Sequence, residues 1–146
     1  MTDIASINLW HKRARPEPTE RDFNVQLGCH FEEIAEMLNT LSGVNAITTN
    51  KISTVAFMVS SLAEGLKTGT YDAWIVNRKE FLDACCDQIV TSVGTAYCAK
   101  TDVVKGMDIV QASNWSKTVN GEFQRDENGK ITKPSTYTPP HLDECV

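Results

Sequence analysis

The chain has 146 residues, with 14 Lys and Arg against 19 Asp and Glu, a net charge of −5 at pH 7 and 41% hydrophobic residues. This length fits one domain with its own hydrophobic core. No apolar run approaches the roughly 20 residues of a membrane span, the N-terminus lacks a secretory signal pattern, and the acidic balance argues against a protein that binds duplex nucleic acid.

The helical part of the chain is predicted to run from residue 1 to residue 118. A short helix over 4–13 ends before Pro16 and Pro18, because proline cannot continue a helix. Asp22 is predicted to cap a long helix that runs to residue 41. Its apolar stripe, with steps of four and three, consists of Leu27, Phe31, Ile34, Leu38 and Leu41. Further helices are predicted over 52–66 and 76–99, and Asp102 is predicted to cap a last, shorter helix.

Residues 119–146 are predicted to form a C-terminal arm of the same domain. Asn128-Gly129 is a tight-turn signal because both residues tolerate positive φ, so a small hairpin or an extended arm is expected there. The predicted fold class is therefore all-α, a bundle of four to five helices with a short C-terminal hairpin or arm.

The five cysteines show no paired spacing that would suit zinc. They are Cys29, Cys85, Cys86, Cys98 and Cys145. We expect reduced and mostly buried thiols in a cytoplasmic protein.

Two groups of carboxylates share faces of predicted helices. The first acidic motif is Glu32, Glu33 and Glu36, and the second acidic motif is Glu80 and Asp83, with Asp87 one turn further on. At 100° per residue, Glu36 lies 40° from Glu32 and 60° from Glu33, and the second group spans about 60°. Each group is predicted to lie opposite an apolar stripe. Since like charges at this spacing repel each other, a cation such as Mg²⁺ or Mn²⁺ is one interpretation. Two ordinary solvated faces are the other interpretation.

The two motifs, E-E-x-x-E and E-x-x-D, resemble those of the all-α nucleoside triphosphate pyrophosphohydrolases, the MazG-like group. That superfamily also contains dimeric dUTPases and phosphoribosyl-ATP pyrophosphohydrolases. The resemblance extends along most of the chain in order, as in small bacterial and phage members. Its further segments are Gly94-Thr95-Ala96, Ser113-Asn114-Trp115-Ser116-Lys117, Asp126-Glu127-Asn128-Gly129-Lys130 and Tyr137-Thr138-Pro139-Pro140. The 43 residues between the two motifs (37–79) form a longer spacer than compact members have.

The resemblance implies cleavage between the α- and β-phosphates of a nucleotide, with Mg²⁺ or Mn²⁺ as the cofactor. Glu33, Glu36, Glu80 and Asp83 would be metal ligands, and Asp87 a weaker candidate. Glu32 would be a ligand or, like Glu33, a residue that activates water. Glu64, in the spacer, is expected to be solvated rather than a ligand.

Basic and aromatic residues complete the predicted substrate site. Lys117, with Asn114 and Ser116, is expected to bind the substrate phosphates, although the same residues also suit an ordinary helix C-terminus. Lys100 and Lys130 are second choices for the phosphates. His11 and Trp10 would contact the base, unless Trp10 is simply a core residue.

The sequence therefore predicts a Mg²⁺-dependent enzyme that converts a deoxynucleoside triphosphate to its monophosphate and pyrophosphate. The base is not readable; dUTP, dCTP and purine nucleotides such as dGTP are all candidates. Phosphoribosyl-ATP hydrolysis and a non-enzymatic helical interaction module are the alternatives. The predicted partner besides the nucleotide is a second copy of the chain, in a homotetramer built from dimers or in a homodimer.

Overall fold

A computed structural model describes residues 1–146 and is all-α, as predicted. Its five helices are α1 (Ile4–Ala14), α2 (Glu20–Asn39), α3 (Ala46–Thr68), α4 (Arg78–Cys98) and α5 (Val103–Trp115). A two-stranded antiparallel ribbon, β1 (Thr118–Val119) and β2 (Glu122–Phe123), follows α5, and a 3₁₀ turn at Asp143–Cys145 lies near the C-terminus. None of the helices combines the length and the apolar character that a membrane span requires.

The chain divides into two compact units. The first unit comprises residues 1–16, 74–124 and 131–146, and the second comprises residues 17–73 and 125–130. The residues of the predicted arm are thus shared between the two units.

In the second unit, α2 and α3 form a helical hairpin whose ends are set by polar side chains. Thr19, not the predicted Asp22, caps α2, and Asp22 completes the capping box from the third helical position. Asn45 accepts a hydrogen bond from the Thr48 amide, so α3 begins six residues before the predicted start at Ile52. Arg21 donates to the last carbonyls of α3, those of Leu66 (2.8 Å) and Lys67.

The packed face of α2 differs from the predicted apolar stripe. Its buried residues are Asn24, Val25, Gly28 and Ala35, whereas Leu41 lies beyond the helix and is 53% exposed. Small residues occupy this face because α3 approaches closely: a Cβ at Gly28 would lie 2.8 Å from the Ala63 carbonyl oxygen. Buried Asn24 is satisfied by Ala73, whose amide donates to its side chain at 2.7 Å.

In the first unit, the core lies around Trp10 of α1 and the residues that follow α5. Trp10 is 7% exposed and packs edge-on against Phe123 of β2, with ring centroids 5.2 Å apart. As predicted, Asp102 caps α5 by accepting from the Lys105 amide. The Asp102 amide donates to the carbonyl of Cys145 at 2.8 Å, which attaches the C-terminal residues to the start of α5.

The arm contains a hairpin turn that the sequence analysis did not identify. Asn120 and Gly121, both at positive φ, connect β1 to β2. The predicted turn at Asn128-Gly129 also forms, and beside it the Thr132 amide donates to the carbonyl of Gln124 at 2.9 Å.

None of the five cysteines forms a disulfide, but the prediction that most are buried is wrong. Only Cys145 is buried, and Cys86 and Cys98 are exposed. The reason is that α4, which carries three of the five, has no buried residue.

Gly28→Ala is expected to lower the free energy of unfolding by about 1–3 kcal/mol, measured by urea denaturation, because the added methyl group would force α2 away from α3. The matched control is Gly106→Ala in α5, where the nearest atom to the new Cβ is a Leu142 methyl group at 3.8 Å. This control should be neutral or more stable, since alanine favours helix more than glycine does. Equal effects of the two substitutions would contradict the close helix contact.

Candidate active site

The first acidic motif lies on α2, where its three members occupy different environments. Glu33 and Glu36 are exposed, whereas the Glu32 side chain retains only 31% exposure. The Glu32 carboxylate pairs with Lys67 of α3, the helix against which α2 packs. The expectation that all three carboxylates lie opposite the packed face is therefore wrong for Glu32, which lies at the edge of the α2–α3 interface.

Two lysines hold the Glu32 carboxylate, one on each oxygen. Lys67 Nζ, on α3, lies 2.7 Å from Oε1, and Lys130 Nζ lies 3.1 Å from Oε2. Lys67 is only 13% exposed and also lies 3.2 Å from Glu64 Oε2. Glu64, expected to be solvated, is 66% exposed but takes part in this network.

The network favours the charged forms of its members. Partial burial tends to raise the pKa of Glu32, but hydrogen bonds from Lys67 and Lys130 outweigh it, so the pKa lies below its ordinary value. Burial tends to lower the pKa of Lys67, but hydrogen bonds to Glu32 and Glu64 leave that pKa raised. Glu32 is consequently a carboxylate, and Lys67 an ammonium group, across the physiological pH range.

The turn 125–130 brings Lys130 to α2. Asp126 Oδ1 accepts from the amides of Asn128 and Lys130, both at 2.9 Å, and Gly129 adopts φ 83°, which reverses the chain. At the other end of the turn, Arg125 Nη1 lies 2.9 Å from Asp22 Oδ1. The segment that resembles D-x-x-G-K is thus a turn with an ion pair to α2 at each end.

The second acidic motif lies on α4, and its carboxylates are fully available to solvent. Asn77 caps the helix by accepting from the amides of Lys79 and Glu80. Glu80, Asp83 and Asp87 are all exposed. None of the three forms a salt bridge within the chain.

The carboxylates of both motifs are donors that suit a hard divalent cation, since Mg²⁺ prefers oxygen ligands. In the single chain, no three His, Cys, Asp or Glu side chains are arranged to hold a metal ion.

The predicted phosphate-binding segment Ser113–Lys117 spans the C-terminal end of α5, and its polar groups are occupied by neighbours. Ser116 Oγ accepts from the Thr138 amide at 2.9 Å, and Ser113 Oγ donates to the Tyr137 hydroxyl at 3.4 Å. Lys117 Nζ donates to Asn114 Oδ1 at 2.7 Å. The segments S-N-x-S-K and Y-x-P-P therefore form a joint that holds the C-terminal residues against α5.

Three further predicted substrate residues, Trp10, His11 and Lys100, lie elsewhere in the sequence of the first unit. Trp10 is a core residue, with a buried indole N–H, and its ring lies 4.9 Å from that of His11. Burial, reinforced by the charge of Arg15, lowers the pKa of His11. Lys100 is exposed and follows α4 at φ 65°.

Sequence reasoning missed Lys67 and Arg125, both of which pair with acids of α2. Lys67 lies one residue beyond the predicted end of its helix, 35 residues from Glu32. The available signal was its position three residues after Glu64, which places the two on one helix face.

Comparisons with protein-family models, with curated proteins and with solved structures find no match for this chain.

Lys67→Met is expected to raise the pKa of Glu32, because the substitution removes one of the two ammonium groups that stabilise the carboxylate. NMR titration of side-chain carboxyl carbons measures this directly, and Lys51→Met, an exposed position on the same helix, is the control.

Because folding lowers the pKa of Glu32, the pair stabilises the folded protein at neutral pH and loses this effect as the pH falls through that pKa. The difference in unfolding free energy between the wild type and Lys67→Met should accordingly narrow in acid. An unchanged Glu32 titration would contradict the ion pair.

Proposed function

We propose that this protein is a Mg²⁺-dependent nucleotide pyrophosphohydrolase that converts a deoxynucleoside triphosphate to its monophosphate and pyrophosphate. The main support for the proposal is that Glu80, Asp83 and Asp87 share one exposed face of α4 and form no salt bridge. Charged groups on a stable helix that repel each other in this way favour binding of a cation. The ordered resemblance of the remaining segments to the MazG-like group supplies the reaction.

Glu33, Glu36, Glu80 and Asp83 would hold Mg²⁺ or Mn²⁺, with Asp87 as a weaker candidate. When bound, the cation would polarise the phosphoryl oxygens and stabilise the leaving pyrophosphate. The donor chemistry fits, because all of these residues are exposed carboxylates.

The role proposed for Glu32 is narrower than the sequence alone allowed. Both of its oxygens accept hydrogen bonds from lysines, so Glu32 orients Lys67 and Lys130 rather than offering a ready ligand. Glu33, exposed on the neighbouring position of α2, is then the better candidate to accept a proton from the attacking water.

Lys130 is the basic residue that we propose for the substrate phosphates, which it would bind in place of, or together with, its pair with Glu32. Its side chain is 42% exposed while its ammonium group already lies beside the first acidic motif. Lys117 and Asn114 bond to each other, and Ser116 bonds to the arm, so a phosphate would have to displace those contacts. Lys100 remains a secondary candidate for the phosphates.

Glu36→Gln and Asp83→Asn are each expected to lower kcat/KM at least about 100-fold, because each removes one charged ligand while preserving side-chain size. Pyrophosphate release from a full panel of deoxynucleoside triphosphates with Mg²⁺ or Mn²⁺ is the measurement, and circular dichroism checks the fold. The controls are Glu17→Gln and Asp72→Asn, exposed acids outside both motifs.

Wild-type rates in both motif variants would refute the site. Failure of every nucleotide in the panel, including phosphoribosyl-ATP, would refute the enzyme. That result would favour the second candidate function, an interaction module that offers the acidic face of α4 to a basic partner.

We also propose that the protein is a homo-oligomer, as a dimer or as a tetramer built from dimers. A 21-residue helix with no buried residue is the supporting observation. The apolar side chains of α4 that remain exposed are Phe81, Leu82, Ile89, Val90, Val93 and Tyr97. Association through this face would remove them from water, which is favourable by roughly 25 cal/mol per Å² of apolar surface.

Light scattering is expected to give a multiple of the 16.2 kDa chain mass. Val93→Lys, in the middle of the exposed face of α4, should shift the protein toward smaller species because a lysine there would have to be buried on association. Val44→Lys, at a 99% exposed position between α2 and α3, is the control and should have no effect. A monomeric wild type would contradict the proposal.

A further inference from the structure

A cleft on α3 of the second unit contains none of the residues of the motifs discussed above. It has a volume of about 400 Å³, within the roughly 300–1,000 Å³ of small-molecule sites. Its walls come from α3 and the loop that follows, and they combine two aromatic rings, Phe57 and Tyr71, with four hydroxyl side chains. The hydroxyl residues are Ser60, Ser61, Thr68 and Thr70.

Both aromatic rings are accessible to solvent, and the Tyr71 ring is held against α3. Phe57 is 75% exposed and Tyr71 is 50% exposed. The Tyr71 amide donates to the Gly65 carbonyl at 3.0 Å, and its ring lies over Gly65, where a Cβ would be 2.0 Å from Tyr71 Cδ2. Glycine at position 65 therefore allows the ring to lie against α3. Exposed aromatic rings of this kind provide stacking surfaces for planar groups such as nucleobases.

The polar groups of the cleft suit an uncharged ligand. Thr68 Oγ1 donates to the Glu64 carbonyl at 2.9 Å and lies 3.0 Å from Thr70 Oγ1, while Ser60 and Ser61 are exposed on α3. Hydroxyl groups both donate and accept, so they match the edges of a base and the hydroxyl groups of a sugar. Glu64 is the one charged lining residue, and its negative charge disfavours a phosphate inside the cleft.

An ion-pair chain connects this cleft to the first acidic motif. Glu64 Oε2, in the cleft wall, lies 3.2 Å from Lys67 Nζ, which lies 2.7 Å from Glu32 Oε1. A ligand with a neutral planar end and an anionic end would therefore place the neutral end against Phe57 and Tyr71 and the anionic end toward the lysines. A nucleotide has this arrangement of groups.

We propose that the cleft between Phe57 and Tyr71 binds the nucleoside part of the substrate. This inference deepens the proposed function and rests on it for the identity of the substrate. The test, however, uses uncharged deoxynucleosides without a divalent cation, so it can succeed or fail independently of hydrolysis.

The experiment is a titration of the ¹⁵N-labelled full chain with each of deoxyadenosine, deoxycytidine, deoxyguanosine and deoxyuridine. We expect at least one to shift the amide signals of Gly65, Thr68 and Tyr71 in a saturable manner. Phe57→Ala should weaken that binding at least about fivefold, since it removes a stacking surface. Gly65→Ala should weaken it as well, because the added methyl group would displace the Tyr71 ring. Met58→Ala, the adjacent 65% exposed position outside the cleft, is the matched control.

With the preferred triphosphate, Phe57→Ala should raise KM at least about fivefold and leave kcat within about twofold. Binding of a deoxynucleoside without hydrolysis of any triphosphate would support the cleft while refuting the proposed activity. Hydrolysis that Phe57→Ala and Met58→Ala affect equally would overturn the cleft and leave the activity standing. The proposal is also overturned if none of the four deoxynucleosides shifts these signals. It is overturned too if Phe57→Ala lowers the molar mass by light scattering, since a second copy of the chain would then be the occupant of this face.

Discussion

The close approach of α2 and α3 at Gly28 is the constraint on which the arrangement of the first acidic motif depends. Since only a hydrogen atom separates the Gly28 backbone from the Ala63 carbonyl, the two helices lie close enough for Lys67 to reach along α2. Glu32 and Lys67 then form a pair that is largely shielded from water, with the raised and lowered pKa values that such a pair requires. A longer interhelical distance would leave both as ordinary solvated charges.

The two acidic motifs illustrate opposite ways in which a protein handles repulsion between carboxylates. On α2, one of the three acids is neutralised by a lysine of the neighbouring helix α3 and by a lysine of the turn 125–130. On α4, the three acids remain exposed without a salt bridge, on a helix that has no buried residue. The proposed cation would offset the repulsion between the acids of α4. The proposed second copy of the chain would cover its exposed apolar side chains.

Much of the fold could be predicted from local sequence signals. Asp102 caps a helix because its side chain reaches an amide three residues on, and Asn128-Gly129 turns because both residues tolerate the required φ. The start of α3 was missed because threonines in its first turn read as loop, although Asn45 caps it. Asn120-Gly121 is the same dipeptide as Asn128-Gly129, and it also forms a turn, with both residues at positive φ.

The candidate site was less predictable, because its contacts join residues far apart in sequence. Helical periodicity places Glu32 on a face with Glu33 and Glu36, but only the position of α3 decides that Glu32 is half-buried and paired. No sequence motif predicts the cleft beside Phe57. Its hydroxyl and aromatic residues come together only because Tyr71 folds back over Gly65.

Glu32 and Lys130, which form an ion pair, are 98 residues apart in the sequence. This separation determines when, during synthesis, the pair can form. The α2–α3 hairpin depends on contacts close in sequence and can form early in synthesis, with Glu32 already bound to Lys67. Lys130 and Arg125 can join it only after α4 and α5 have been made. The second unit is therefore completed by a segment that is synthesised after residues 74–124 of the first unit.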